Sequence, residues 1–512
     1  MFVAALLGGC AGAPPKSGPT AAQAAPSAPT TVTTNASQSL LANNIDMLLA
    51  QPRFAHASWG IDVISLDSGK TLYARNADTL FLPASNAKLY TATLALETLD
   101  ADASFSTTLY ATTASPIDGA LAGDLILYGR GDPSLGQADV SPDWADRFAQ
   151  ALAEHGVRRV RGDLVADDTY FSGPLIGDGW EALDLQEDYS AQAGALGAQD
   201  GVAHAHVARN GARCCVVTID PPQSGLRVIN LTGNAAPLDL YRPPGSDVLY
   251  ASGSLPANVP QKSYTLSVPD AALFAANLLR DALTRRGIAL SGNVRAAHWP
   301  ERDSALANAP LEIASISSPP LSQLIRHMLK HSDNRYAQML LQQVGVQTAR
   351  GGMCADRKEP PQTSADWGLC AMRSFLSRIG IGNREATFNE GSGLSRQDLV
   401  TPAATVKLLA WFARQPFANV LRDALPVAGV DGTLKSRMLG TSAAGNLQAK
   451  TGTLTHAYAL SGYVTDARGE HLAFSLMLNR YQRPIDAMGN AIPPSPQDDL
   501  DAVAEMIANA AQ

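Results

Sequence analysis

Three short phrases set far apart constrain how this chain can fold. Ser85-x-x-Lys88, Ser332-Asp333-Asn334 and Lys450-Thr451-Gly452-Thr453 are separated by 247 positions from Ser85 to Ser332 and by 118 from Ser332 to Lys450. One site can be built from them only if the chain returns twice to the same place. Their local settings suit that. The runs from Trp59 to Ile64 and from Lys70 to Arg75 read as two strands of a hairpin turning at Asp67-Ser68-Gly69. After Phe81-Leu82-Pro83-Ala84, no Gly or Pro interrupts Leu89 to Leu99. Counted from Ser85, Lys88, Leu89, Ala92, Leu96 and Leu99 fall at +3, +4, +7, +11 and +14, one face of a helix. Ser332-Asp333-Asn334 is a polar turn between helical stretches from Leu321 to Lys330 and from Arg335 to Val344. Lys450 to Thr453 leads into an apolar strand, Ala457 to Val464, with His471 to Leu478 as its antiparallel neighbour.

A serine one helical turn from a lysine has a chemical use. A hydroxyl is a poor nucleophile until a base removes its proton, and a desolvated or cation-crowded lysine is neutral enough to serve. The free N–H groups of a helix start favour negative charge on an attacked carbonyl oxygen. Ser-x-x-Lys alone arises by chance in many chains; the ordered trio does not. It resembles the motif set of penicillin-binding proteins and class A β-lactamases. That resemblance implies a serine acyl transferase in which Ser85 attacks a peptide carbonyl and Lys88 accepts its proton. Ser332 relays a proton to the leaving amine, and Asn334 orients Lys88 and substrate. Lys450 and Thr451 offer a cation and a hydroxyl to a substrate carboxylate. Gly452 lets an extended substrate approach the strand edge, and the N–H groups of Ser85 and Thr453 form the oxyanion hole.

The spacing separates subfamilies. β-Lactamases with this trio have a much shorter first interval, whereas here a segment of domain size, about 98–304, follows the nucleophile helix. The chain is similar to the D-alanyl-D-alanine carboxypeptidase/endopeptidases of the class C low-molecular-mass penicillin-binding proteins, type 4, over nearly all of 38–512. The fold this implies is α+β, the penicillin-binding-protein/β-lactamase-like transpeptidase fold. Residues 38–97 and 305–512 form the catalytic unit, an antiparallel sheet flanked by helices, and 98–304 form a large β-rich insertion. The implied activity is hydrolysis of D-Ala-D-Ala in peptidoglycan stem peptides, with D-Ala to diaminoacid cross-links as a second bond, and acylation by β-lactam antibiotics. The rivals are a serine β-lactamase, disfavoured by the insertion, and a catalytically silent cell-wall scaffold or β-lactam sensor, disfavoured by the intact motif set.

Less specific phrases agree. Gly123-Asp124-Leu125-Ile126, Gly129 to Leu135 and Gly162 to Asp168 resemble family strand-and-turn phrases in the insertion, as Gly391-Ser392-Gly393-Leu394-Ser395-Arg396 resembles one near the site. An Asp usually precedes the last phrase; Glu390 stands there, and a turn beside the site is its plain reading. Glu385 and Asn389 have the spacing of a β-lactamase deacylation motif but run into that phrase. Arg130-Gly131-Asp132 and Arg161-Gly162-Asp163 read as turns. His327 and His331 are four apart with no further ligand to complete a zinc motif, so neither metal nor cofactor is expected.

At the start, Met1 to Gly9 is too short to cross a bilayer and reads as a clipped secretory core; Leu7-Gly8-Gly9-Cys10 resembles a lipobox, with Cys10 as the lipidated first residue of the mature protein. Residues 11–37, rich in Ala, Pro, Ser and Thr, form a disordered tether. The expected location is therefore periplasmic, held to a bacterial membrane by lipid alone. A net charge of −8 argues against a nucleic-acid partner, and the oligomeric state is open. Cys354 and Cys370 bracket a polar loop and are a disulfide candidate; adjacent Cys214 and Cys215 remain open between free thiols and other pairings.

Overall fold

A computed structural model describes residues 36–113, 116, 118–211, 213–301, 311–355 and 359–510. The expected leader with Cys10, and the tether up to residue 35, lie outside the described residues. A five-stranded antiparallel sheet is the frame for the three phrases. Its order is Gln448–Leu454, Ala457–Thr465, His471–Asn479, Ser58–Ser65 and Thr71–Arg75. Strand His471–Asn479 shows why it sits centrally: Leu472, Phe474, Leu476 and Leu478 enter one core while Ala473 and Met477 enter the other. Period-two alternation with apolar groups on both faces is what a strand covered on both sides requires.

The first and last helices, Ala36–Leu49 and Pro496–Ala508, cover one face through Leu41, Ile45, Leu49, Leu500, Val503 and Ile507. The other face carries the nucleophile helix Ala87–Thr98 together with Leu321–His331, Asn334–Arg350, Ser364–Arg378 and Pro402–Phe412. Ser364–Arg378 opens with a capping box between Thr363 and Asp366. Cys370 of this helix is bonded to Cys354, and Cys214 is bonded to Cys215.

After Thr98 the chain leaves this frame and builds two further units, one inside the other. The outer one is a five-stranded sheet ordered Val294–Ala297, Leu164–Asp167, Leu125–Gly129, Ser106–Ala111 and Leu311–Ser317, packed on helices Trp144–Glu154 and Ala271–Arg285. The first three strands are parallel, so this part is mixed α/β. The strand Leu311–Ser317, placed by sequence in the catalytic segment 305–512, instead pairs antiparallel with Ser106–Ala111 at this sheet's edge. A lone strand carries no mark of the sheet it joins, and its partner lies far upstream.

Two of the expected strand-and-turn phrases meet here in register, Leu125 beside Leu164, and a third copy follows them, with Val294 beside Leu164 on the other side. Each copy reads apolar-x-Gly-Asp/Asn-apolar: Leu121 to Leu125, Val160 to Leu164, Leu290 to Val294. Asp124 accepts the N–H of Asp163 at 2.7 Å, and Asp163 accepts that of Asn293 at 2.8 Å. The glycines are required by contact. A Cβ on Gly162 would sit 2.6 Å from the Gly123 carbonyl, and one on Gly292 would strike the Gly162 carbonyl.

The inner unit, residues 202–267, consists of two three-stranded sheets around Ala205, Val207, Leu249, Ala251 and Leu266. Its two ends meet, Val268 N–H donating to the Gly201 carbonyl at 2.9 Å.

Candidate active site

Ser85 lies in the 3-10 turn Ala84–Asn86 that runs directly into the helix Ala87–Thr98. Ala84 has φ +47°, a left-handed conformation that costs an alanine energy and is held by its fully buried setting. Lys88 follows one turn along, fully buried, and its Nζ donates to Ser85 Oγ at 2.9 Å, to Asn334 Oδ1 at 2.5 Å and to the Ser392 carbonyl at 2.7 Å. Burial pulls Lys88 down to about 8, against the opposing pull of the Glu390, Asp333 and Asp398 carboxylates. A minor fraction, about a tenth at pH 7, is thus neutral, with a lone pair available to the serine proton, against a negligible one for an ordinary lysine.

The second phrase is a helix junction. Ser332 ends Leu321–His331 in the left-handed conformation, φ +62°, and Asp333 caps the next helix by accepting the N–H of Tyr336 at 2.9 Å. This break aims two side chains into the site. Ser332 Oγ accepts from Lys450 Nζ at 2.9 Å, while Asn334 spans from Lys88 to the Tyr189 carbonyl, to which its Nδ2 donates at 2.8 Å.

The third phrase is the edge strand Gln448–Leu454. Lys450 is fully buried, and burial together with the charge of Lys88 holds it well below the ordinary lysine range. It faces Ser332 rather than open solvent. Thr451 is also turned inward, its hydroxyl 2.8 Å from that of Thr433. Of the four residues expected to bind substrate, Lys450, Thr451, Gly452 and Thr453, it is Thr453 that lines the cleft, beside Ser85, Ser332 and Asn334. Gly452 has a different reason to be glycine from the one the sequence suggested. A Cβ there would lie 2.8 Å from the Pro83 carbonyl and 3.2 Å from the Ser85 nitrogen, so the strand and nucleophile turn touch through their backbones.

Comparison with known proteins decides what this arrangement belongs to. The family model described as the D-Ala-D-Ala carboxypeptidase 3 (S13) family matches residues 41–502. The chain belongs to the S13 family. It is 35% identical to a D-alanyl-D-alanine carboxypeptidase of Actinomadura sp. (strain R39), covering 87% of this chain and 82% of that one. Against the D-alanyl-D-alanine carboxypeptidase DacB of Haemophilus influenzae it is 30% identical, covering 79% and 82%. The crystal structure of H. influenzae penicillin-binding protein 4 superimposes with a TM-score of 0.76 at 26% identity, covering 90% of this chain and 98% of that one. The same protein complexed with a β-lactam gives 0.72 at 25% identity and the same coverage. The S13 chain is thus a serine-type D-Ala-D-Ala carboxypeptidase with the α+β fold of these structures.

Other residues of this S13 enzyme were not legible from the motifs. Glu181, Asp184 and Tyr189, all from the insertion, line the cleft with Gly393, Leu394, Arg396 and Thr455. Arg396 pairs with Glu181 at 2.6 Å and Tyr189 Oη donates to Asp184 at 2.9 Å. Nothing in 181–189 has a motif's regularity, and Ser392 acts through its carbonyl, which no side-chain pattern reports. Residues set aside by sequence stay outside the cleft. Glu385 pairs with Lys407 at 2.5 Å. His327 stacks between His331 and Tyr336 at centroid distances of 4.6 and 4.5 Å. Asp132 is buried, accepting from Ser134 N–H and Oγ, so that Arg-Gly-Asp is a turn.

Proposed function

We propose that Ser85 is the nucleophile and Lys88 its base in hydrolysis of the D-Ala-D-Ala bond of peptidoglycan stem peptides. The observation that carries this is the fully buried Lys88 amine 2.9 Å from Ser85 Oγ. Ser85 Oγ bonds to the carbonyl carbon as its proton passes to Lys88, and the oxyanion meets the backbone N–H groups of Ser85 and Thr453. The C–N bond then breaks, and the amine takes a proton through Ser332, whose hydroxyl is already held by Lys450. With Lys88 neutral again once its proton has gone to the amine, water attacks the ester as its own proton passes to Lys88, which gives it to the departing Ser85 oxygen. Lys450 supports this from behind the cleft wall, so direct contact with the substrate's terminal carboxylate falls to Thr453.

β-Lactams, whose amide carbonyl meets the same serine, acylate Ser85. The D-Ala to diaminoacid cross-link is a second substrate in this reading, met by the cleft wall that the insertion supplies through Glu181, Asp184 and Tyr189. The enzyme works outside the cytoplasm, and attachment to a membrane through lipidated Cys10 is part of this proposal. Labelled penicillin should mark the wild type and fail to mark Ser85→Ala. Equal labelling of the two would overturn the assignment. Mass analysis of uncross-linked and cross-linked muropeptides after incubation reads the two hydrolytic activities separately.

A further inference from the structure

Beneath the nucleophile lies a pair of acids that the proposed chemistry leaves unused. Glu390 and Asp398 are both buried, 1% and 0% exposed. Glu390 gathers the backbone of the following loop: one carboxylate oxygen accepts the Ser392 N–H at 2.7 Å, and the other accepts those of Gly393, Leu394 at 3.0 Å and Ser395 at 3.5 Å. Asp398 accepts the Asn389 N–H at 2.7 Å through Oδ1 and lies against Glu390. Its Oδ2 is buried with no protein donor among the described residues.

Two buried carboxyl groups in contact cannot both be ionised, and a hydrogen bond between them requires one proton. Four N–H groups point at Glu390 and, among the described residues, none at Asp398 Oδ2, so the proton between the two belongs on Asp398. Burial, and then the charge of Glu390, raise Asp398 well above the usual carboxylate range, in agreement with this.

The loop so held is the one that touches the base. Ser392 offers its carbonyl to Lys88 at 2.7 Å, and Gly391 accepts from Thr91 Oγ1 at 2.7 Å while its N–H donates to Gln338 at 2.9 Å. The ionisable groups facing Lys88 are Glu390, Asp333, Asp398 and Lys450, and Glu390 is the largest electrostatic influence among them that raises it.

We infer that Glu390 and Asp398 work as one positioning pair, a carboxylate and a carboxylic acid sharing a hydrogen, which fixes the 391–395 loop and supplies the counter-charge that sets how readily Lys88 accepts the Ser85 proton. The inference rests on Ser85 and Lys88 being nucleophile and base. Glu390→Gln removes the charge and keeps the size. Asp398→Asn keeps a hydrogen-bond donor to Glu390 that cannot ionise, whereas Asp398→Ala has none.

The test is the rate of acylation by a fluorescent penicillin from about pH 5.5 to about pH 10, with folding checked by thermal melting and Ser85→Ala run alongside. In the wild type the rate rises with pH as Lys88 loses its proton around 8. Without the Glu390 charge the ammonium is less stabilised, so in Glu390→Gln the rise moves to lower pH, by roughly half a unit or more. Asp398→Ala acylates at least about tenfold more slowly, and Asp398→Asn recovers most of that loss. A Glu390→Gln profile that superimposes on the wild type, or Asp398→Asn as slow as Asp398→Ala, overturns the inference while leaving the assignment of Ser85 intact. Labelling of Ser85→Ala overturns that assignment, and the inference with it.

Discussion

Lys88 shows what the residue scale makes legible. Its relation to Ser85 is a helical spacing of three, so the pairing can be read from the chain, and the structure closes it at 2.9 Å. The Ser332 and Asn334 contacts are legible in kind, because a polar turn between two apolar helices has to point its side chains somewhere specific. What stays hidden is contact made by backbone: the Ser392 and Tyr189 carbonyls at the site, and the Pro83 carbonyl against Gly452. Sequence assigned Gly452 to substrate access, whereas its space is taken by the nucleophile turn. Gly452→Ala tests which reason dominates. The added methyl must push strand Gln448–Leu454 off the backbone of residues 83–85, and such overpacking costs about 1–3 kcal/mol of stability. Acylation of Ser85 by penicillin should fall about 10- to 100-fold as Thr453 moves away from it. A normal rate with weaker peptide binding would restore the substrate-access explanation.

At the scale of elements, the hairpin, the nucleophile helix, the helix pair around Ser332 and the paired strands after Lys450 all follow from periodicity, since each is local. Strand Leu311–Ser317 did not, because its partner Ser106–Ala111 is remote and the other three strands of their sheet come between the two in the chain. The threefold turn phrase was half legible: two copies share Gly-Asp-Leu, while the third reads Gly292-Asn293-Val294 and keeps only the physical pattern. That pattern makes a prediction. Asp163 is the middle rung, accepting from Asn293 N–H while its own N–H is held by Asp124. Asp163→Ala should lower the stability of the outer unit by about 0.5–1.5 kcal/mol, the net worth of an exposed hydrogen bond to a backbone donor, and should leave penicillin acylation at the wild-type rate. Thermal unfolding and labelling, measured together, check both halves; an unchanged melting temperature would show that the rungs only decorate the turns.

For the whole molecule, sequence alone yields a nested plan but not its depth. The 98–304 interval is one excursion from the catalytic frame, yet it holds most of an α/β unit, completed by Leu311–Ser317, that itself carries the β unit of residues 202–267. Composition cannot reveal this, because both units draw on the same alternating apolar strands. The inner unit holds the cleft segment through Arg242, through Ser267, whose Oγ donates to the Leu185 carbonyl at 2.6 Å, and through Leu266, which bridges to Glu187. Arg242 donates to the Leu185 carbonyl at 2.8 Å, and its backbone N–H donates to Gln186 at 2.8 Å, pinning the stretch between Asp184 and Tyr189. Since Gly201 and Val268 are already hydrogen-bonded, residues 202–267 can be replaced by a short Gly/Ser link with little loop-closure cost. The shortened protein should acylate Ser85 with penicillin within about threefold of the parent, while D-Ala release from a stem peptide falls about tenfold or more, because only the longer ligand uses the loosened wall. Equal losses in both assays would place the inner unit's contribution in the nucleophile region instead.

The strand order carries a consequence for how such a protein comes into being. His471–Asn479 lies between Ala457–Thr465 and Ser58–Ser65, so the hairpin made first has no neighbour in its sheet until one of the last strands emerges. Through most of synthesis the apolar strand from Ser58 to Ser65 waits with an open edge, which is a hazard for aggregation. A product cut short before Asn479 carries Ser85 and Lys88 without a cleft around them, and the newborn enzyme gains its chemistry only as the end of the chain closes over its beginning.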